Sequence, residues 1–368
     1  MSTWFQRRLL PGLAYKAVVI GGGYATGREL AEFFLPSGPW GGIAAMGLAM
    51  LIWSAICVTT FLFSRAVGAL DYRTFIRALL GPGWIVFEVA YVVFVVVALA
   101  VFGAAAGAIG AATLGLPTIA GTIVLMAAIA FVTAYGNASV ERVFTYVSFL
   151  LYGVYVLFVL FSLTHFGGQI AAGFSRPAPP HGWLRGGVEY AGYNVIGAVV
   201  ILPVLRHLAS NRDAVIAGVF AGPLAMLPAL MFFSCMMAYY PQIAAATLPS
   251  DYLLQRLDLP VFRYLFQLMI FAALLESGTG FVHAINERIG LAWRRSRNAE
   301  LGRAPRLAIA LVTLIFCMLL AERFGLVTLI ARGYRLLAYV VLLVFVLPLF
   351  TIGIYRLVSR RAVAQGVA

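Results

Sequence analysis

Charge is what this chain has least of. Only 11% of its 368 residues are Asp, Glu, Lys or Arg, against about 25% in an ordinary soluble domain. Lysine is nearly missing: Lys16 stands alone, and the other basic residues are all arginine. Cysteine is scarce too. Cys57, Cys235 and Cys317 each fall in an apolar stretch without paired spacing, which excludes a disulfide framework and a zinc site. No small-residue cleavage site follows Arg7-Arg8, so the N-terminus reads as the flank of a membrane helix and not as a cleaved leader. Catalytic signatures are absent as well. There is no His-Glu-x-x-His helix and no aspartate-rich pair, and Gly22-x-x-x-x-Gly27-Arg28-Glu29 lacks the Lys and Ser/Thr of a phosphate loop. The chain does not read as an enzyme, and an integral-membrane enzyme is the weakest of the alternatives.

What fills the sequence instead is apolar. Hydrophobic residues make up 63% of the chain, and mean hydropathy is +0.97. Ten runs approach the length of about 20 residues that crosses a bilayer: 12–34, 39–66, 83–111, 118–134, 139–164, 184–207, 213–239, 260–286, 306–321 and 325–357. The last begins with a short amphipathic lead-in, Gly325 to Tyr334. The net charge of +13 is distributed as topology and not as a nucleic-acid footprint. Eighteen Lys and Arg residues lie before the first run, in the loops after even runs or at the run ends on that side, and seven lie on the other side, with Arg28 left inside the first run. The positive-inside rule then puts both termini in the cytoplasm, as expected of a bacterial plasma (inner) membrane protein. The excess of basic charge suits contact with anionic lipid.

The first run carries the sharpest signal. Gly21-Gly22-Gly23-Tyr24-Ala25-Thr26-Gly27 interrupts it, and each glycine costs a helix roughly 1 kcal/mol relative to alanine. Broken membrane helices survive only inside protein or beside a cavity, and transporters use them to build a site near the bilayer midplane. The longest Gly/Pro-rich loop, 165–183, divides the chain into a first five-helix repeat, 1–164, and a second, 184–368. An odd number of spans per half inverts the second half. Its first run is weakened in the matching place by Gly192 and Asn194, and Asn194 is expected to cap a restarted half-helix.

These residues resemble the YkvI-like bacterial membrane proteins: Gly21-Gly-Gly-Tyr-Ala-Thr-Gly-Arg-Glu29 with Phe33-Phe34, Tyr190-Ala-Gly-Tyr-Asn194, and Thr279-Gly280 through Asn286-Glu-Arg288. That family is similar to the amino acid–polyamine–organocation transporters. The resemblance implies an all-α polytopic membrane protein of LeuT type: about ten transmembrane helices in a five-plus-five inverted repeat with helices 1 and 6 broken. It also implies secondary transport of a small organic solute, amino-acid-like or amine-containing, coupled to an ion. A channel or a transporter-like sensor is the alternative, although no repeated filter element is present.

Candidate site residues follow from the breaks. Gly23, Tyr24, Ala25, Thr26 and Gly27 in the first run, with Tyr190, Tyr193 and Asn194 in the sixth, are expected to bind substrate, since aromatic walls with few polar tips suit a small organic ligand. Thr26-x-x-Glu29 reads as a capping box that restarts the helix at Thr26 or Gly27. A substrate carboxylate would meet the freed N–H groups there. Ile20 and Gly21 offer free carbonyls, and Glu276, Ser277 and Thr279 offer a carboxylate and hydroxyls, for Na+ or H+ coupling. In LeuT-type sodium transporters two hydroxyls of the eighth helix are usually adjacent, whereas here Gly278 separates them. Glu276 sits mid-span, where an ionised carboxylate is expensive unless paired or hydrated. Arg28 and Glu29 are gate candidates, although Arg28 has an equally good structural partner in Glu32, four residues on. Glu88 and Glu189 are weaker candidates, and His283 reads as structural. No other cofactor and no metal beyond a sodium ion is expected. The partners are a small-molecule substrate and the lipid bilayer.

Overall fold

The structure, a computed structural model, describes residues 3–135, 138–297 and 301–364, and all regular elements among them are helical. Among the described residues seven helices are long and apolar enough to cross a membrane. The seventh, Ala304–Ser359, would be about 84 Å long if straight, yet Gly325 interrupts it with φ 69° and ψ 167°. It is therefore two spans. The first and sixth apolar runs are each broken into shorter pieces, which brings the total to the ten that the sequence predicts. Side chains such as Ile85, Val89, Ile123, Val312, Ile315 and Leu319 lie exposed. In an integral membrane protein these form the surface that lipid covers.

We number the spans in order. α1 comprises α1a (Leu10–Val19), a single turn (Gly22–Ala25) and α1b (Arg28–Phe33). α2 is Gly38–Val67, α3 Trp84–Leu114, α4 Thr118–Tyr135 and α5 Ala138–Phe174. α6 comprises α6a (Trp183–Asn194) and α6b (Gly197–Val200), followed by the 3-10 stretch Leu202–His207. α7 is Asn211–Met236, α8 Pro260–Arg297, α9 Arg303–Thr328, and α10 occupies 329–364. An amphipathic helix, Tyr72–Leu80, links α2 to α3, and a loop helix, Pro249–Arg256, precedes α8.

Lipid tails are as apolar as leucine, so these helices gain most by close approach of their backbones at small residues. Gly218 and Gly222 of α7 lie against the α2 backbone at Val58 and Met50, and Gly121 of α4 against Ala106 of α3. Gly187 brings α6a against Ala45 of α2.

Three expectations need correction. α5 does not stop at 164 but continues to Phe174. A Cβ on Gly173 would collide with the Met237 carbonyl, and Phe166 packs edge-on to Tyr239 at 5.3 Å, so tertiary packing carries the helix through its glycines. The Thr26–Glu29 capping box does not form. α1b restarts at Arg28 behind Gly27, whose φ of 77° only glycine tolerates well, with no side-chain cap. Asn194 caps nothing: it ends α6a and its Nδ2 donates back to the Tyr190 carbonyl at 3.0 Å.

Candidate functional site

The break in α1 has two joints. At the first, Ile20 (ψ 88°) and Gly21 (φ −109°, ψ −172°) leave helical geometry. At the second, Gly27 turns left-handed. The break in α6 is milder, with Val195 and Ile196 staying in the right-handed region between α6a and α6b. A chain that ends a helix leaves its last carbonyls without intrahelical partners. Ala17, Val18, Ile20 and Gly21 put that end of α1a beside a cavity of about 420 Å³.

This cavity joins four of the five residues expected to sense the ion: Ile20, Gly21, Glu276 and Ser277. Tyr91 and Phe102 of α3, Phe281 of α8 and Val200 of α6b complete its walls, and Phe102 and Phe281 stack at 5.7 Å. It lies on the side of the break that carries the N-terminus. Thr279 is not among its lining residues, and its hydroxyl donates within α8 to the Leu275 carbonyl at 2.8 Å. His283 lies exposed on the outer surface of α8.

The eight residues expected to bind substrate are all buried, and they divide. Tyr24 and Ala25 line a second, apolar cavity of about 220 Å³ with Lys16, Tyr155, Pro228 and Met269. The Tyr24 hydroxyl donates to the Ala225 carbonyl of α7 at 3.2 Å. Gly27 packs against the Phe232 ring, and the Thr26 hydroxyl donates to the Gly23 carbonyl at 3.0 Å. Tyr190 and Tyr193 instead form an aromatic cluster with Phe33, Phe34, Trp53 and Tyr334. Tyr193 stacks on Tyr334 at 4.5 Å, and Tyr190 lies 5.8 Å edge-on from Tyr193. The Asn194 carbonyl accepts from Tyr15 of α1a at 3.5 Å.

The expected gate pair separates. Glu29 turns inward, 3% exposed, and accepts a 2.6 Å hydrogen bond from the Tyr193 hydroxyl. Arg28 turns the other way. It pairs with Glu32 at 3.1 Å and donates to the carbonyls of Ala244 and Ala246 at 2.9 Å each. Arg335 of α10 extends this group, reaching Glu32 at 3.3 Å and the buried Glu189 of α6a at 2.9 Å. Glu189 also accepts from Arg185 at 2.7 Å and from Tyr339 at 2.6 Å. A continuous chain of charges thus ties α1b, α6a, α10 and the loop before α8 together at the end where α1b finishes. Asp251 adds a tie there, accepting from Arg263 at 2.7 and 2.9 Å and from Gln267 at 2.9 Å.

Sequence reasoning missed Arg335, Glu32's second partner and Tyr339. The available signal was Arg335 inside an apolar run, since an ionisable group within a span ordinarily has a named partner. Glu88, a weaker candidate, pairs with Arg288 of α8 at 3.0 Å. The Arg288 guanidinium lies between the Tyr72 and Tyr91 rings, 3.8 and 3.5 Å from their centroids.

No protein-family model matches the chain, and no curated protein matches it in sequence. Solved structures do. MhsT in complex with L-phenylalanine superposes with a TM-score of 0.61 at 15% identity, covering 93% of this chain and 88% of MhsT. The fold is LeuT-type. A Na+-coupled sialic acid symporter in a substrate-bound outward-open state gives 0.59 at 14% identity, covering 96% of this chain and 81% of the symporter. The Eremococcus coleocola manganese transporter, bound to an aromatic bis-isothiourea compound, gives 0.54 at 15% identity, with 92% and 77% covered. The five-plus-five inverted arrangement with α1 and α6 broken is thus this chain's architecture.

Proposed function

We propose that the protein is a secondary transporter that moves a small organic solute by alternating access, coupled to Na+ or H+. The observation that carries the reading is the cavity at the α1 break, where the end of α1a meets Glu276 and Ser277. A carboxylate, a hydroxyl and helix-end carbonyls make a set of hard oxygen donors that suits Na+, and the carboxylate alone suits a proton. The aromatic walls suit the apolar part of a solute. Thr279 then supports the site through α8 and does not touch the ion. MhsT binds an amino acid and the sialic acid symporter is Na+-coupled, which supports a coupled carrier of small solutes.

Within this reading residues 1–164 and 184–368 are the two inverted repeats, with α5 carrying the first beyond its expected boundary. Both termini face the cytoplasm of a bacterial plasma membrane, and the charge network around Arg335 closes the outer side. The YkvI-like family is the assignment that the glycine-rich α1 motif supports. Proteoliposomes holding the purified chain test the function. An imposed Na+ or pH gradient should drive solute accumulation, and Glu276→Gln should abolish it or uncouple it from the gradient while thermal unfolding stays close to wild type. Undiminished gradient-driven uptake by the variant would remove Glu276 from the coupling site.

A further inference from the structure

Two guanidinium groups share one tryptophan where the linker helix meets α3. Arg73 and Arg77 of Tyr72–Leu80 lie over the Trp84 ring, 4.8 and 4.6 Å from its centroid. Like charges four residues apart on a helix repel each other, and the protein supplies little to offset them. Among the described residues no ion pair includes either arginine. Neither guanidinium donates a hydrogen bond among them, and the Nε of Arg73 is buried without an acceptor. The acids on either side are committed. Asp71 lies close enough to feel the charge of Arg73, but it caps the helix by accepting the Thr74 N–H at 2.9 Å. Glu88 pairs with Arg288 and accepts from Tyr72. Other arginines at this end do find acceptors. Arg65 donates to the carbonyls of Leu208 and Ala209, and Arg356 of α10 donates to the Ala78 carbonyl.

We propose that Arg73 and Arg77 hold the phosphate of an anionic phospholipid whose chains lie along the first turns of α3. Stacking on a ring occupies the face of a guanidinium and leaves its N–H edge free. That edge matches two oxygens of a phosphate. Trp84 is the residue type that settles at headgroup level, with its ring half in the apolar layer.

The occupant is a lipid and not a soluble phosphate because an apolar surface continues directly from the basic one. Ile85, Val86 and Val89 follow Trp84 on α3 and are each more than half exposed, the kind of surface that marks contact with a membrane. The linker helix is amphipathic in the same sense. Phe75, Ile76 and Leu79 turn inward, while Thr74 and Arg77 are exposed. In the orientation that the charge distribution predicts, this helix lies at the cytoplasmic end of α3, where clustered arginines attract anionic headgroups. The site needs only the membrane reading and holds whatever the solute is.

Native mass spectrometry tests it. The full chain in detergent is titrated with phosphatidylglycerol or with phosphatidylethanolamine carrying identical chains. At least one phosphatidylglycerol should bind at least about tenfold tighter than phosphatidylethanolamine. Arg73→Gln combined with Arg77→Gln should remove that preference. If the double variant fails to fold, Arg77→Gln alone should lower the preference at least about threefold. Arg206→Gln combined with Arg212→Gln removes the same charge from two exposed positions and should leave the preference intact. Thermal unfolding in the same detergent should shift upward with phosphatidylglycerol and stay unchanged with excess inorganic phosphate. Equal affinity for the two lipids overturns the assignment, as does a preference that survives in the Arg73 and Arg77 variants. Loss of the preference in the Arg206 and Arg212 control would show a general charge effect, and equal protection by inorganic phosphate would show an anion site without a lipid. Either result also overturns it.

Discussion

Arg335→Gln should open the end of the molecule where α1b, α6a and α10 meet. Arg335 is the only link in that network from α10 to both Glu32 of α1b, at 3.3 Å, and Glu189 of α6a, at 2.9 Å, among the described residues. Removing one partner of a fully buried pair costs about 3–5 kcal/mol. Two features lower that figure. The Arg335 side chain is 33% exposed, so solvent screens it, and Glu189 keeps Arg185 and Tyr339 while Glu32 keeps Arg28. A loss of about 1–2 kcal/mol from the closed arrangement remains, equivalent to about a 5- to 30-fold larger open population. Hydrogen exchange followed by mass spectrometry reads this directly, because local opening sets the exchange rate. Peptides covering 183–194 and 240–248 should exchange faster by about that factor, and peptides from the α3–α4 contact should not change. Arg306→Gln is the control, since its pair with Glu287 lies exposed, at 34% and 48%, and should move nothing. Unchanged exchange in the Arg335 variant would mean that helix packing alone, and not the network, holds this end closed.

Gly27→Ala should destabilise the fold by at least about 1–2 kcal/mol, because a left-handed φ penalises any L side chain and the added methyl meets the Phe232 ring; thermal unfolding in detergent measures it. Tyr193→Phe removes a donor from the buried Glu29 carboxylate and should cost about 1–3 kcal/mol in the same assay, with the α1b peptide exchanging faster. Arg288→Lys keeps the charge beside Glu88 but loses the planar group that fits between Tyr72 and Tyr91. It should cost about 1–2 kcal/mol, and wild-type stability in that variant would show the stacking to be incidental.

The α1 break was legible because its cause is local. Four glycines in seven residues penalise a helix whatever surrounds them, and the structure breaks it at Gly21 and again at Gly27. The meeting of Ile20 and Gly21 with Glu276 and Ser277 was legible for a different reason, since a mid-span carboxylate needs polar company and the break is where polar backbone is available. What local reasoning missed depends on partners far away in sequence. Thr26-x-x-Glu29 has the pattern of a capping box, but Tyr193, 164 residues on, offers the carboxylate a buried hydroxyl, and that bond prevails. Arg335 and Glu32 are 303 residues apart, so neither announces the other. Asn194 has the composition of a cap, yet the α6 backbone stays in the right-handed region there and its side-chain amide turns back to the Tyr190 carbonyl.

The two ends of the molecule are held by different means, and the difference bears on how a carrier of this shape would cycle. At the α1b end one continuous network joins three helices and the loop carbonyls, so no single pair can let go without its neighbours taking up part of the load. At the N-terminal end the ties are separate: Arg8 with Asp213 at 3.0 Å, and Arg288 with Glu88 and two tyrosines. The large cavity lies on this second side, bounded by α1a, α3, α6b and α8. α1a can swing about Gly21 without breaking any hydrogen bond inside α1b, because the two half-helices share none across the extended residue. α1b is bound in turn to α6a through Glu29 and Tyr193. Movement at that network would therefore carry α1b and α6a together, and the Glu29 side chain with them.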